Sequence, residues 1–363
     1  MIRPLLIVLV AALLASGATP QKKKKHKKGD EDEITQTLPE LKDPPPATSG
    51  ETARLVFHVS PLSGKGLLSP QIRDALNNLV HENRGAAIVK LRAFVAGSGD
   101  LRRVQTLVSE IFTDHKLALP ALSTIQVGAL PLDNAQVVIE SIAVDKKTIN
   151  PNGLAFFSGQ QSKDVRQSVA QLQLAVSAAG LNPPDVLRAT CFLSSLDDLS
   201  QARDAMAGAF PALRVDFVQL QRLGLEPLAE CEAVARLEKA PSLPVAFLNP
   251  QGLTQNPNYS QIALVNSPKI VFSGTQMVFG EQDSDIKLGF ERLQRDIEPL
   301  GVAYKDVFWS STYPLTRPMA DKVRALRFSY FDRAHPPAST LLLFEGLPSL
   351  DATVAMEVMA AGQ

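Results

Sequence analysis

The sequence has few cysteines, few aromatic residues and no excess of charge of either sign. Its 363 residues include two cysteines, one tryptophan, and 37 basic against 37 acidic side chains. Two cysteines are too few for a small fold held together by several disulfides, and a balanced charge gives no electrostatic basis for binding DNA or RNA. Because 45% of the residues are hydrophobic, the chain can still build a large core. We expect a folded protein that does not bind nucleic acid.

Patterns for metal binding are also absent. The histidines are scattered without an i, i+4 pair, and the sequence has no C-x-x-C motif, so no set of ligands with metal-site spacing is visible. Cys191 and Cys231 each lie in an apolar, strand-like segment, which favours two buried free thiols over a disulfide or a nucleophile. We therefore expect no metal ion and no cofactor.

No apolar run is long enough to span a membrane. The run from Leu5 to Ala15 follows Arg3 and precedes the small residues Ser16, Gly17 and Ala18, a pattern typical of a signal peptide that is cleaved after Ala18. We interpret residues 1–18 as this signal peptide, which predicts a secreted or periplasmic protein without a stable membrane span after cleavage. An uncleaved anchor close to the membrane is the alternative.

A segment of low complexity follows the predicted signal peptide. It contains a basic block at 22–28, an acidic block at 30–33 and three prolines at 44–46, with no periodic apolar positions. Such a segment cannot bury enough apolar surface to offset the entropy lost on ordering. Residues 19–50 are therefore predicted to be a disordered linker.

Beyond residue 50 the same order of elements occurs three times. Apolar residues recur with helical spacing from Ile72, from Val165 and from Ile286, and each helix is followed by a strand, a second helix and two closing strands. Three copies of β-α-β-α-β-β predict three homologous α+β domains. Their expected bounds are residues 51–148, 149–240 and 241–363.

The motifs of these repeats resemble those of the Rid (reactive intermediate deaminase) family, also called YjgF. The segments 156–160 and 270–276 are similar to its F-x-S-G-Q strand, and 256–261 is similar to its G-P-Y-S-Q opening. Residues 120–131 match P-A-R-[ST]-x-V-x-V-x-x-L-P except at Leu122. The resemblance implies a chorismate-mutase-like fold and homotrimers with ligand pockets between subunits. A chain with three copies is then expected to be a monomeric pseudo-trimer.

The resemblance also implies a set of site residues, of which one is missing. The arginine that holds the substrate carboxylate in Rid deaminases is replaced in all three repeats, by Leu122, Val215 and Ser339. The glutamate of the final strand is present in all three, as Glu140, Glu232 and Glu357. These glutamates are the candidate catalytic residues, because a carboxylate can orient an attacking water molecule. Buried acids bonded to a neighbouring strand, or acids facing solvent at a sheet edge, are the alternative.

Six other residues are candidates for contacting a ligand. Tyr259, Ser158 and Ser273 lie in the family's pocket-forming motifs, although loop packing and turn chemistry also explain them. Arg214, Arg203 and Arg324 lie near pocket positions and could replace the missing cation, unless they are ordinary solvated arginines.

Two functions stay open at this point. The first is an exported Rid-like protein that binds a small carbonyl, imine or amino-acid-derived ligand in its interdomain clefts without imine deaminase turnover, as the missing arginines suggest. The alternative is an enamine or imine deaminase in which the cation comes from another position.

Overall fold

Three β-sheets, each covered by two α-helices, make up the part of the chain that the structure describes. The structure is a computed structural model, and it describes residues 41–222 and 226–363. The predicted signal peptide and residues 19–40 of the predicted linker lie outside the described residues.

The secondary structure follows the predicted repeat. The helices are α1 (Leu68–Glu82), α2 (Arg102–Asp114), α3 (Val165–Ala178), α4 (Leu199–Ala209), α5 (Asp283–Ile297) and α6 (Arg317–Leu326). The strands are β1 (Ala47–Glu51), β2 (Leu55–Val59), β3 (Ala87–Ala96), β4 (Ala121–Val127), β5 (Val137–Val144), β6 (Leu154–Ser162), β7 (Val186–Leu193), β8 (Val215–Gln219), β9 (Ala229–Arg236), β10 (Val245–Leu248), β11 (Ile262–Val265), β12 (Lys269–Ser273), β13 (Gln276–Phe279), β14 (Val307–Pro314), β15 (Ala338–Leu341) and β16 (Ala352–Gly362).

The three sheets share one pairing pattern at their centres. The first sheet has the order β2-β5-β3-β4, and the second has the order β10-β11-β6-β9-β7-β8. The third has the order β1-β12-β16-β14-β15, with β13 also pairing with β16. In each sheet the last strand of the repeat (β5, β9 or β16) lies in the interior and is antiparallel to its neighbours. The strand before it (β4, β8 or β15) is parallel to the strand that follows the first helix (β3, β7 or β14). The fold is therefore α+β, with several sheets.

The apolar core has local and shared parts. Each pair of helices packs on its own sheet in a separate cluster, because the apolar stripes of the helices face inward. Two further clusters combine residues of all three sheets. One includes Phe94, Phe192 and Phe344, and the other includes Ile142, Phe156 and Trp309. The inner faces of the three sheets thus pack on one another.

Three strands lie outside the ranges that the sequence patterns suggested. The strand β1 pairs with β12 of the third sheet, although residues up to 50 were predicted to be linker. Similarly, β10 and β11 pair with β6 of the second sheet, although the third domain was predicted to begin at residue 241. Strand pairing through backbone hydrogen bonds needs no strong apolar pattern, which is why composition does not reveal these exchanges.

The prediction of two free thiols is wrong. Cys191 on β7 and Cys231 on β9 are directly opposite each other in the antiparallel register, and they form a disulfide with Cα atoms 4.1 Å apart. The apolar segments led to the expectation of buried thiols, and the side chains are indeed buried. The sequence does not show that the two cysteines are close together, because their proximity comes from the pairing of β7 with β9.

Within residues 41–222 and 226–363, no helix combines the length and the apolar character that crossing a bilayer would require.

Candidate functional site

The three family glutamates are buried between the sheets in two neighbouring groups of hydrogen-bonded polar residues. Arg92 of β3 lies at the centre of one group, where its Nε donates to Glu140 Oε2 at 2.6 Å and its Nη2 donates to Glu232 Oε1 at 2.6 Å. Hydroxyl groups occupy the remaining carboxylate oxygens, since Thr190 Oγ1 donates to Glu140 and Thr340 Oγ1 donates to Glu232, each at 2.5 Å. These two glutamates therefore have charged and neutral partners from three different sheets.

The third glutamate is held by a second cation. Lys90, two residues before Arg92 on the same face of β3, donates from Nζ to Glu357 Oε2 at 2.6 Å. It also donates to Ser123 Oγ and to the carbonyl oxygen of Ser273, both at 2.6 Å. Tyr313 Oη donates to the other oxygen of Glu357 at 2.5 Å, and Ser123 Oγ donates to Glu357 Oε2 as well. Glu357 is fully occupied by protein groups.

The charges of this network keep Glu140 and Glu357 ionised. Burial alone would raise the pKa of Glu140, but Arg188 and Arg92 lower it to about 2. Burial likewise opposes ionisation of Glu357, whereas Lys90 and Arg92 lower the pKa of this carboxyl below its ordinary value. Lys90 and Arg92 supply cations beside these glutamates, and the sequence analysis did not identify either residue.

A small internal cavity lies beside the network. It has a volume of about 20 Å³, and its lining includes Arg92, Arg188, Glu232 and Trp309. This is room for about one water molecule with polar partners, and not for an organic ligand. The arrangement favours the alternative that the sequence left open, in which the glutamates are buried acids bonded to neighbouring strands.

The two candidate serines are committed to backbone groups. Ser158 Oγ donates to the carbonyl oxygen of Ser260 at 2.7 Å and accepts from the Ser339 amide at 2.8 Å. Ser273 Oγ accepts from the Val358 amide at 2.9 Å. Both serines are buried, so they tie strands together, as turn and strand chemistry alone would require.

The three candidate arginines lie in different surroundings. Arg214 is exposed, and Arg203 is exposed with Nη2 donating to the carbonyl oxygen of Pro131 at 3.3 Å. Arg324, on α6, is half-buried and pairs with Asp321 at 2.8 Å. Among the three, Arg324 is the one that lines a cleft between two sheets.

That cleft is the candidate ligand site. It lies between the second and third sheets, has a volume of about 330 Å³, and is of the size that binds small molecules. Arg317, Arg324 and Glu226 supply charge, Gln161 and Gln221 supply amide groups, and the apolar part of the wall is formed by Leu220, Leu228, Leu341, Leu342 and Leu343. The cleft therefore combines an apolar wall with a positively charged helix face.

Two further polar residues are close enough to Arg324 to interact with its charge. Tyr259 is half-buried, and burial together with the charge of Glu230 raises its pKa. Glu230 is itself buried on β9 and interacts with the charge of Arg324. Tyr259 and Arg324 were candidates from the sequence, and the structure brings them together, whereas it places the three family glutamates elsewhere.

Lys90, Arg92 and Glu230 were missed by the sequence analysis. Lys90 and Arg92 are two basic residues on one face of a strand that is otherwise apolar. Because charged residues rarely occupy buried strand positions without partners, this pattern was the available signal. In the sequence, Glu230 stood out only as a neighbour of Glu232 on the same strand face. Its burial away from charged partners depends on how the sheets pack.

Among the described residues, no cluster of His, Cys, Asp or Glu has the arrangement of a metal site.

Comparisons with known proteins agree with the motifs. Residues 49–145 match the family model described as Endoribonuclease L-PSP. No curated protein sequence matches the chain.

Several solved structures resemble parts of the chain. A protein of unknown function of the Rid family from Yersinia pestis is 15% identical, with a TM-score of 0.31, over 33% of this chain and 99% of that one. A member of the YjgF/YER057c/UK114 family from Mycobacterium tuberculosis is 22% identical, with a TM-score of 0.21, over 24% of this chain and 81% of that one. A YjgF-family protein from Neisseria meningitidis is 15% identical, with a TM-score of 0.24, over 33% of this chain and 95% of that one.

The matched segment 49–145 coincides with the first sheet and its two helices. It also contains the end motifs on which the resemblance rested, Pro120–Pro131 and the strand of Glu140. Residues 49–145 of this chain therefore form a Rid-like domain that matches the L-PSP family model.

Proposed function

We propose that the chain is an exported Rid-like protein that binds a small ligand in the cleft between the second and third sheets, without imine deaminase turnover. The observation that carries the proposal is the composition of this cleft. It has room for a small molecule, and it offers Arg317 and Arg324 on one side and leucine side chains on the other. Such a combination suits a ligand with a polar group and an apolar body, for example a carbonyl compound or an amino-acid derivative.

The expectation of no turnover has two supports. Leu122, Val215 and Ser339 occupy matching register positions in β4, β8 and β15, opposite Leu91, Ala189 and Ser310. None of the three can hold a carboxylate by a bidentate pair as an arginine does. In addition, the carboxylates of Glu140, Glu232 and Glu357 are bonded to protein groups. No family glutamate is left to orient water in the proposed cleft.

The alternative, a deaminase with a re-sited cation, rests on Arg324. This side chain lines the cleft from α6. If Arg324 held the substrate, an acid or carbonyl group of the cleft would have to orient the attacking water. Turnover measurements distinguish the two functions, because binding alone consumes no imine.

The same proposal includes a monomeric pseudo-trimer. Its support is that Arg92 of the first sheet, Glu232 of the second and Thr340 of the third are consecutive members of one hydrogen-bonded chain. Three repeats of one polypeptide thus make contacts that separate subunits would otherwise make.

Export and the absence of a nucleic-acid partner also belong to the proposal. The disulfide between Cys191 and Cys231 is typical of proteins from oxidising compartments. Intact-mass measurement of the protein from its native compartment tests cleavage after Ala18, and a cytosolic chain that keeps Met1 would contradict it.

RNA cleavage, the activity in the matched family's description, is not proposed, since the balanced charge gives no basis for RNA binding.

Ligand-observed NMR with a set of charged and neutral small molecules tests binding in the cleft. In the variant Gln161→Trp, a large side chain on an exposed residue of the lining fills the cleft. Gln173→Trp, on the exposed face of α3, is the matched control. We expect ligands that bind the unmodified chain and the control but not Gln161→Trp. Ligands that bind all three proteins equally, or no binding at all, would contradict the proposal.

A further inference from the structure

Residues 43–51 bridge the first and third repeats. On the side of the first repeat, Asp43 Oδ1 accepts a hydrogen bond from Gln105 Nε2 of α2 at 2.9 Å. In addition, Thr48 Oγ1 donates to the carbonyl oxygen of Val89 on β3 at 2.5 Å. On the side of the third repeat, β1 pairs along its whole length with β12. Residues 43–51, which we call the N-terminal strap, are therefore held by both repeats.

The three prolines of the strap lie in a cleft between the first and third sheets. Pro44, Pro45 and Pro46 form one part of its wall, and Leu122 and Gln276 belong to the remainder. Proline has no N–H group, so these residues cannot continue the pairing of β1. Their fixed φ angles keep the backbone extended before it docks, which reduces the entropy lost on docking. The prolines thus suit a segment that fills a cleft without joining a sheet.

A glycine allows the strap, β4 and the third repeat to meet. The amide of Gly274 donates to the carbonyl oxygen of Pro46 at 2.7 Å, and the amide of Thr275 donates to that of Leu122 at 3.3 Å. A Cβ atom at Gly274 would lie only 2.9 Å from the carbonyl oxygen of Leu122. A side chain at this position would therefore force β4 away from the point where the strap is attached.

The strapped cleft is the counterpart of the open cleft between the second and third sheets. Thr124 on β4 and Leu341 on β15 occupy matching positions in the parallel strand pairs, and Gln276 and Gln161 each follow a motif glycine by two residues. Thr124 and Gln276 line the strapped cleft, whereas Leu341 and Gln161 line the open one. The open cleft has no proline among the described residues of its lining, and its volume is about 330 Å³ against about 160 Å³ for the strapped cleft.

We propose that Pro44, Pro45 and Pro46 are a built-in plug that bars small molecules from the cleft between the first and third sheets. The strand β1 anchors the plug, and the hydrogen bond between Asp43 and Gln105 closes its outer end. A molecule that entered this cleft would have to displace the prolines while β1 stays paired. The inference goes beyond the proposed function, because it concerns access to a different cleft and holds for any ligand of the open one.

Thiol labelling of the full chain tests the plug. Both native cysteines are joined in a disulfide, so the variant Thr124→Cys has one free thiol, and this thiol lies in the strapped cleft. The probe is N-ethylmaleimide, which is small and uncharged. Pro44→Gly combined with Pro45→Gly loosens the plug, because glycine does not fix φ and loses more entropy on docking. We expect the thiol at position 124 to react about tenfold faster in this double-glycine background.

A thiol in the open cleft provides the matched control. Leu341→Cys lies at the counterpart position, and no residue of the strap lines its cleft. Its reaction rate should be the same with prolines or glycines at positions 44 and 45. A second control, Pro241→Gly combined with Pro244→Gly, removes two prolines that do not line the strapped cleft. It should leave the rates of both thiols unchanged.

Two results would overturn the plug. The first is a thiol at position 124 that reacts equally fast with prolines and with glycines. The second is an equal acceleration of the thiols at positions 124 and 341, which would indicate general loosening of the fold. If the double-glycine chain does not fold, Asp43→Ala decides, since it removes only the hydrogen bond to Gln105. It should accelerate labelling at position 124 about threefold, and an unchanged rate would contradict the plug.

Discussion

Arg92 and Glu232 belong to different sheets, yet Arg92 Nη2 donates to Glu232 Oε1 across 2.6 Å in the interior of the protein. The two residues are 140 positions apart in the sequence. Because the same guanidinium also holds Glu140, one side chain neutralises acids from two repeats. The contact makes the packing of the first and second sheets depend on charge as well as on apolar area.

Removing this guanidinium should be strongly destabilising. Arg92→Met leaves Glu140 and Glu232 buried without the guanidinium that donates a hydrogen bond to each of them, which costs about 3–5 kcal/mol of unfolding free energy. Arg102→Met removes an exposed arginine that pairs with Asp100 and should cost less than about 1 kcal/mol. Urea denaturation of both variants measures the difference. Equal stabilities would show that the network contributes nothing.

Acid should unfold the protein through the same network. The pKa of Glu140 is lowered from its ordinary value of 4.5 to about 2, so its stabilising contribution is fully present above about pH 4.5 and is lost as the pH falls through about 2. The free energy of unfolding should therefore decrease across this window, as circular dichroism at increasing urea and several pH values would show. In Glu140→Gln the decrease should be smaller, and an identical pH dependence would contradict the assignment.

Glu230 should have the opposite effect on stability. Its folded-state pKa of about 8 is above the ordinary value of 4.5, so its contribution is most favourable below about pH 4.5 and is lost as the pH rises through about 8. Glu230→Gln removes this ionisation, and the variant should gain stability relative to the unmodified chain between pH 5 and pH 9. Melting temperatures at these two pH values provide the measurement. A constant difference would show that Glu230 titrates normally.

The disulfide between Cys191 and Cys231 should be formed in the purified, unreduced protein and should stabilise it. Cys191 and Cys231 are 40 residues apart in sequence, and a cross-link of this span contributes about 2–4 kcal/mol in the usual range. We expect no free thiol on titration of the denatured, unreduced protein, and a lower melting temperature after reduction. Two titratable thiols per chain would contradict the pairing.

Much of the fold could be predicted from the sequence, because it depends on local patterns. The apolar spacing from Ile72, Val165 and Ile286 corresponds to helices α1, α3 and α5, and the repeated order of elements corresponds to three sheets with the same central pairing. Strand exchange was not predictable, since Ala47–Glu51 pairs with residues more than 200 positions away. Its partners are determined by packing of the sheets, not by its composition.

The candidate site was predictable only in part. Tyr259 and Arg324 were identified because the family motifs mark their surroundings. The partners of Glu140 could not be assigned, because Arg92 and Thr190 reach it from positions 48 and 50 residues away on different strands. The isolation of Glu230 depends on what is absent around it, and a sequence does not contain that information.

The claim that the chain binds ligands without hydrolysing imines is tested most directly by semicarbazide competition with a freshly generated 2-imino acid. The account predicts that the protein does not increase the rate of imine hydrolysis, since the family's arginine position holds Leu122, Val215 and Ser339 and its glutamates are occupied. Turnover that persists in Gln173→Trp and disappears in Gln161→Trp would contradict it, and would show that the cleft is a working deaminase site.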